Sequence, residues 1–159
     1  MKRAAQLQPL SRQHHLGLNI SRHAKECSDN PEDISKHWHK LTSYIDDLQS
    51  HFAIEDHLIA TALLPYSISK PEVASALTTL NEQHKSLQAL VSQAQNSANS
   101  RSHPISAAQV KALATLLYDH IRFEERDLFP IAERYLTTAE LDTIYAASPD
   151  NVKRADENR

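Results

Sequence analysis

One glycine, one cysteine and one tryptophan among 159 residues, with aromatics at only 6%, remove several architectures at once. Sandwiches built from many short strands turn on glycine-rich hairpins, so a chain with Gly17 alone is expected to be all-α. With Cys27 as its only thiol the chain has no intramolecular disulfide framework. That fits a reducing compartment and makes the cytoplasm the expected location. No apolar run approaches membrane-spanning length, and the basic start, Met1 to Leu10, is not followed by an apolar segment. Neither an anchor nor a signal peptide is expected. The formal net charge of -3 gives no basic footprint, so neither nucleic acid nor an anionic membrane is an expected partner.

What the chain has in quantity is histidine, ten residues, within a 40% apolar composition. Its length suits one domain with one sizeable core, placed at residues 1–148, ahead of a charged, aperiodic tail at 149–159 that is expected to fray. The first periodic segment covers about residues 11–28, with Leu7, Leu10, His14, Gly17 or Leu18, and Ser21 along one side. A second opens at Ser28, Asn30, Pro31, Glu32 and Asp33, which carry N-cap, first-turn proline and helix-dipole signals. It runs through Trp38, Leu41, Tyr44, Leu48, His51, Phe52, Glu55 and Leu58 to near Pro65, long enough that a bend or break is expected. The third, about residues 69–98, carries Val73, Leu77, Leu80, His84, Leu87 and Val91. Residues 96–104, rich in Ser and Asn, read as an exposed loop. The fourth begins at a capping box, Ser106 with Gln109, and continues through Val110, Leu113, Leu117, His120, Glu124, Leu128 and Ile131 to about residue 135. Pro130 should kink or loosen it. A second capping box, Thr137 with Glu140, starts a short helix near residues 138–147. Four amphipathic helices with short links close most simply as an antiparallel up-down-up-down four-helix bundle, here with a short fifth C-terminal helix.

Each of the four stripes carries a histidine where an apolar residue is expected: His14, His51, His84 and His120. Two stripes add a carboxylate one turn later, giving the His-x-x-x-Glu pairs His51/Glu55 and His120/Glu124. Residues four apart share a helix face, so each pair aims an imidazole and a carboxylate at one point. About 0.6 such pairs are expected by chance at this composition, so either pair alone is weak, and the bland alternative is a solvated helix face in a bundle without metal. Four inward stripes with matching histidines carry more weight. Two buried carboxylates need compensating positive charge, and a cation pair bridged by them supplies it. Neutral imidazole with carboxylate suits iron, manganese or zinc rather than copper(I) or an iron-sulfur cluster.

Neighbouring residues carry secondary expectations. Periodicity favours His14 over His15 as the ligand on the first helix, leaving His15 as a flanking or supporting group. Tyr44 either hydrogen-bonds a ligand, supplies a coordination position, or is core with its hydroxyl satisfied. Gly17 either leaves room beside a metal or permits tight helix packing. Glu125 should be solvated, about 100° around an ideal helix from Glu124. His23, His37, His39, His57 and His103 follow no shared stripe and read as surface residues, whereas Trp38 and Phe52 read as core.

The chain also resembles the hemerythrin-like (HHE) cation-binding domains. The resemblance covers about residues 9–135. It is carried by Pro9-Leu10-Ser11-Arg12-Gln13-His14-His15, His51-Phe52-Ala53-Ile54-Glu55, the isolated His84, and the stretch from His120 through Phe123-Glu124-Glu125 to Leu128-Phe129-Pro130. It implies a four-helix bundle around a non-haem centre of two iron ions, with His14, His51, Glu55, His84, His120 and Glu124 as ligands and the glutamates bridging. Oxygen-carrying members have two histidines four apart on the third helix; here Gln88 follows His84 at that spacing and Leu80 precedes it. The set is more similar to the four-histidine, two-glutamate di-iron proteins of iron-sulfur repair and nitrosative stress, without their additional N-terminal domain. The resemblance thus implies a protein that binds or reacts with oxygen, nitric oxide or peroxide. A di-iron oxidoreductase with an unassigned protein redox partner, and an iron storage or delivery protein, are the alternatives.

Overall fold

The structure, a computed structural model, describes residues 2–99 and 104–154. Every element among them is helical. A single 3-10 turn, Ala5–Leu7, leads into α1 (Gln8–Ala24), which begins earlier than periodicity suggests because Pro9 occupies its first turn, where a missing amide costs nothing. Asn30 caps α2 (Pro31–Asp47), its side chain accepting from the Glu32 amide at 2.9 Å. The long second segment is broken as its length suggests. Leu48 departs from helical geometry, α3 (Gln49–Ile54) follows, a π turn covers Glu55–Ile59, and α4 (Ala60–Leu63) ends in a 3-10 turn at Leu64–Tyr66.

After the turn comes α5 (Pro71–Asn99), so the Ser- and Asn-rich stretch is helical up to Asn99; residues 100–103, with His103, lie outside the described residues. The fourth segment is α6 (Ala107–Phe123), then a second π turn at Glu124–Leu128, then α7 (Phe129–Tyr135). Both capping boxes form: Ser106 with Gln109, and Thr137 with Glu140 at the start of α8 (Thr138–Ala147). The loosening expected at Pro130 is the π turn just before it, a wider turn that spares the proline ring a clash with the carbonyl four residues back.

α1 packs on α2 and α6, α5 on α6, and α8 against the turn at Ala5–Leu7. The core is divided into two apolar clusters. One gathers Leu10, Ile59, Leu80, Leu128 and Phe129 with α8; the other gathers Ala24, Leu41, Leu48, Leu87, Val110 and Leu117, with Cys27 buried at its margin. On each long segment His14, His51, His84 and His120 fall between residues of the two clusters. A polar layer therefore separates two apolar ones. Phe52 is buried as expected, but Trp38 is only partly buried, at the edge of the second cluster. At the start of the tail, Asp150–Val152 form a 3-10 turn whose Val152 carbonyl accepts from Arg12 Nε at 2.7 Å. Residues 155–159 lie outside the described residues.

Gly17 is explained by packing. A Cβ there would stand 2.5 Å from Tyr44 Cζ and 2.6 Å from Ile121 Cδ1, so three helices meet where the side chain is missing. Replacing Gly17 with Ala should destabilise the fold by about 1–3 kcal/mol through overpacking, despite alanine's better helix propensity. Denaturant midpoints will show it, and a cycle with Tyr44→Ala should return part of the loss.

Candidate metal centre

The polar layer holds His14, His51, Glu55, His84, His120 and Glu124, each no more than 8% exposed. α1 presents His14, α3 presents His51, α5 presents His84 and α6 presents His120, while each glutamate is the first residue of a π turn. The six form two groups that share both glutamates. One is His14, His51, Glu55 and Glu124; the other is Glu55, His84, His120 and Glu124, with donor atoms in each group within 4.8 Å of one another.

The carboxylates divide their oxygens between the groups. Glu55 Oε2 lies 3.0 Å from His51 Nε2 while its Oε1 lies 3.1 Å from His84 Nε2. Glu124 Oε1 lies 2.8 Å from His14 Nε2 while its Oε2 lies 3.5 Å from His120 Nε2. Donors bound at about 2.0–2.2 Å to one ion stand about 3 Å apart when adjacent, which is the scale of these contacts.

All four imidazoles turn Nε2 inward and engage Nδ1 with an oxygen from a different segment. His14 Nδ1 meets Glu125 Oε2 at 2.6 Å and His51 Nδ1 meets Gln13 Oε1 at 2.9 Å. His84 Nδ1 meets Asp56 Oδ1 at 2.9 Å and His120 Nδ1 meets Gln83 Oε1 at 2.6 Å. A carboxylate or amide oxygen only accepts, so each Nδ1 carries a proton and donates it, and in the neutral ring Nε2 is then the free lone pair that a cation would take. The partners follow a cycle. α1 leans on the π turn after α6, α6 on α5, α5 on the π turn after α3, and α3 on α1.

That arrangement fits a cation. His14 Nε2 and His51 Nε2 are 3.2 Å apart, lone pair towards lone pair. Glu55 Oε2, His120 Nε2 and Glu124 Oε2 are buried with no hydrogen-bond partner. Buried polar atoms left unpaired are costly, and converging ones are filled by a positive charge. Burial lowers the pKa of His14 against the pull of Glu125, and pushes His120 down to about 3, so both are neutral donors. Burial alone would raise Glu55, but the imidazoles of His51, His84 and His120 gathered around it outweigh burial and hold the carboxyl well below its usual range. His84 is raised: burial opposes its charge, and Glu55 and Asp56 on its two nitrogens win.

Several expectations change. Glu125 is not solvated; its side chain is 26% exposed and also accepts from Ser11 Oγ at 2.8 Å. It lies in the wider turn, where successive residues are separated by a smaller angle than in an α-helix. Burial would raise Glu125, but the bonds from His14 and Ser11 with nearby Arg3 bring it down to about 2. His15 is exposed and faces away from the layer, because helical spacing turns it off the face His14 occupies. The Tyr44 hydroxyl donates to the Gln13 backbone carbonyl at 2.6 Å. Gln88 is exposed and Leu80 is buried in the apolar cluster, so neither provides a fifth imidazole equivalent. His23, His39 and His57 are exposed, whereas His37 is partly buried beside Asp33. Gln13, Asp56, Gln83 and Glu125 escape a stripe analysis, though each directly neighbours a site residue in sequence and is an oxygen acceptor.

An all-helical protein whose interior gathers imidazoles and carboxylates in this way is, by class, a cation-binding helical protein. The family model of the hemerythrin HHE cation binding domain matches residues 7–132, most of the chain, and the chain belongs to that family. No curated protein and no solved structure compared with it matches. No described helix is long and apolar enough to cross a membrane.

Replacing Gln13 or Gln83 with Leu removes the acceptor behind one imidazole and should weaken metal affinity roughly 10–100-fold. Competition with a chromophoric chelator will measure it, with circular dichroism confirming the fold.

Proposed function

We propose that the chain is a protein with two metal ions, iron by family, that binds or reacts with oxygen, nitric oxide or peroxide in sensing, stress response or iron-sulfur repair. His14 and His51 would hold one ion and His84 and His120 the other, with Glu55 and Glu124 shared between them. The observation that carries this reading is the division of both carboxylates between two imidazole pairs whose Nδ1 atoms are already engaged. The long segments pass between the two apolar clusters in alternating sense, which supports an up-down-up-down bundle around that layer.

Each group offers two imidazoles and a share of two carboxylates, so an ion held there would keep positions for an exogenous ligand. An iron pair there supplies reversible binding of, or electron transfer to, a small molecule. The chain's own residues set the rest. Phe129 stacks on His14 at 5.4 Å between ring centroids, and Phe52 lies against His51, His84 and His120, giving the layer apolar walls that exclude bulk water. His84, at 8%, is the least enclosed of the six, and Asp56 beside it has a side chain 45% exposed. That edge is the least enclosed side of the layer, where a diatomic molecule would meet it. Leu80 and exposed Gln88, in place of a further histidine, weigh against oxygen carriage as the role. A reducing cytoplasm suits the single thiol, and turnover as an oxidoreductase is the second reading, for which a protein electron donor would be required.

Reconstitution with ferrous iron under anaerobic conditions should saturate at two ions per chain. Saturation at one, or none retained, removes the dinuclear reading. Exposure of that form to oxygen, nitric oxide or peroxide separates the roles: a reversible absorption change marks binding or sensing, and repeated consumption with a donor marks an enzyme. Glu55→Ala and Glu124→Ala should each lower retention of both ions, checked by elemental analysis; loss of one ion only would show that the altered carboxylate does not bridge.

A further inference from the structure

We infer that Arg3, from the segment ahead of α1, is a positioning residue for the half of the centre that contains His14, acting through Glu125. The inference rests on the dinuclear reading above. Its starting point is a gap in the backbone. In the π turn the Phe129 amide bonds to the Glu124 carbonyl, one residue further back than in an α-helix. The same five-residue step from the Glu125 carbonyl reaches Pro130, which has no amide hydrogen. Arg3 Nη2 donates to that carbonyl at 2.7 Å.

The two terminal nitrogens of the guanidinium are anchored around the same point, whereas its buried Nε has no hydrogen-bond partner among the described residues. Nη2 also lies 3.3 Å from Glu125 Oε1, and Nη1 donates to Glu133 Oε1 at 2.8 Å. The Ala4 amide donates to the other oxygen of Glu133 at 2.5 Å. The Arg3 side chain is 18% exposed, with its guanidinium carbon 5.4 Å from the centre of the Phe129 ring that stacks on His14. With Arg3 on Oε1, the other oxygen of Glu125 is left to His14 Nδ1 and Ser11 Oγ. Among the described residues no equivalent device stands behind His84, whose partner Asp56 has a side chain 45% exposed. The two halves of the centre are alike in ligands and unlike in support. A planar fork with several donors at fixed angles does this where a single ammonium would not.

Titration with cobalt(II), followed by visible absorption, tests it. The wild-type chain should take up two ions; if it does not, the dinuclear reading fails and the inference falls with it. Given two ions, Arg3→Ala should weaken one site roughly tenfold, the lower end of what loss of a ligand's hydrogen-bond partner costs, and leave the bands of the other unchanged. Glu125→Gln should weaken the same site, and the double variant should be no worse than the more affected single one. Gln6→Ala, which loosens the same segment at Asp142 without touching Glu125, should leave both sites intact. Wild-type titration of Arg3→Ala, equal weakening of both sites, additive losses in the double variant, or a matching effect of Gln6→Ala would each overturn the assignment while leaving the dinuclear reading in place.

Discussion

Two carboxylates placed in the middle of a helical core are the constraint on which the rest of this structure depends. Glu55 and Glu124 are fully buried, and among the described residues no lysine or arginine pairs with them; what faces them is imidazole. An ionised carboxylate in such a place is tolerated only with opposite charge and directed hydrogen bonds. The interior is arranged around that need. It splits the apolar core into two clusters, places the four histidines at the boundary, and starts a wider turn at each glutamate.

The paired π turns show how backbone and site are coupled. A π turn inserts a residue without ending the helix, and such turns concentrate at functional sites. Here each lets two consecutive acids serve the layer: Glu55 inward with Asp56 behind His84, and Glu124 inward with Glu125 behind His14. A regular helix would carry the second acid of each pair further from the first. Pro130 and Arg3 belong to the same economy of hydrogen bonds, one removing an amide and the other meeting the carbonyl left over.

Much of this was legible in the sequence, and the boundary has a physical basis. Three-four spacing identified the stripes of α1, α5 and α6, because burial of an apolar face imposes that period on each helix separately. The six residues brought together in the layer all lay on those stripes or on that of the second segment. The capping boxes at Ser106 and Thr137 were readable because a cap involves residues three apart. What could not be read were relations between helices. Gln13 sits beside His14 in the chain but serves His51, and Gln83 sits beside His84 but serves His120. Glu125 departs from the solvated position that ideal helix geometry predicts because its turn is wider, and Trp38 from full burial because its stripe runs out at the edge of the apolar cluster. Arg3 lies outside any periodic segment and carries no local signal.

The closed cycle of support among the four helices has a consequence for how the centre comes into being. Three of its links join residues 28 to 38 positions apart, as in His84 with Asp56, His120 with Gln83, and His51 with Gln13. The fourth, His14 with Glu125, spans 111. Loop-closure entropy grows with separation, and distant contacts are rewarded only after the intervening chain has been ordered. The long link is therefore the one that chain entropy places last, when α1 meets the turn after α6. Until it closes, one pair of imidazoles lacks its full alignment. On the proposed two-ion reading, metal capture at that half would therefore report completion of the fold.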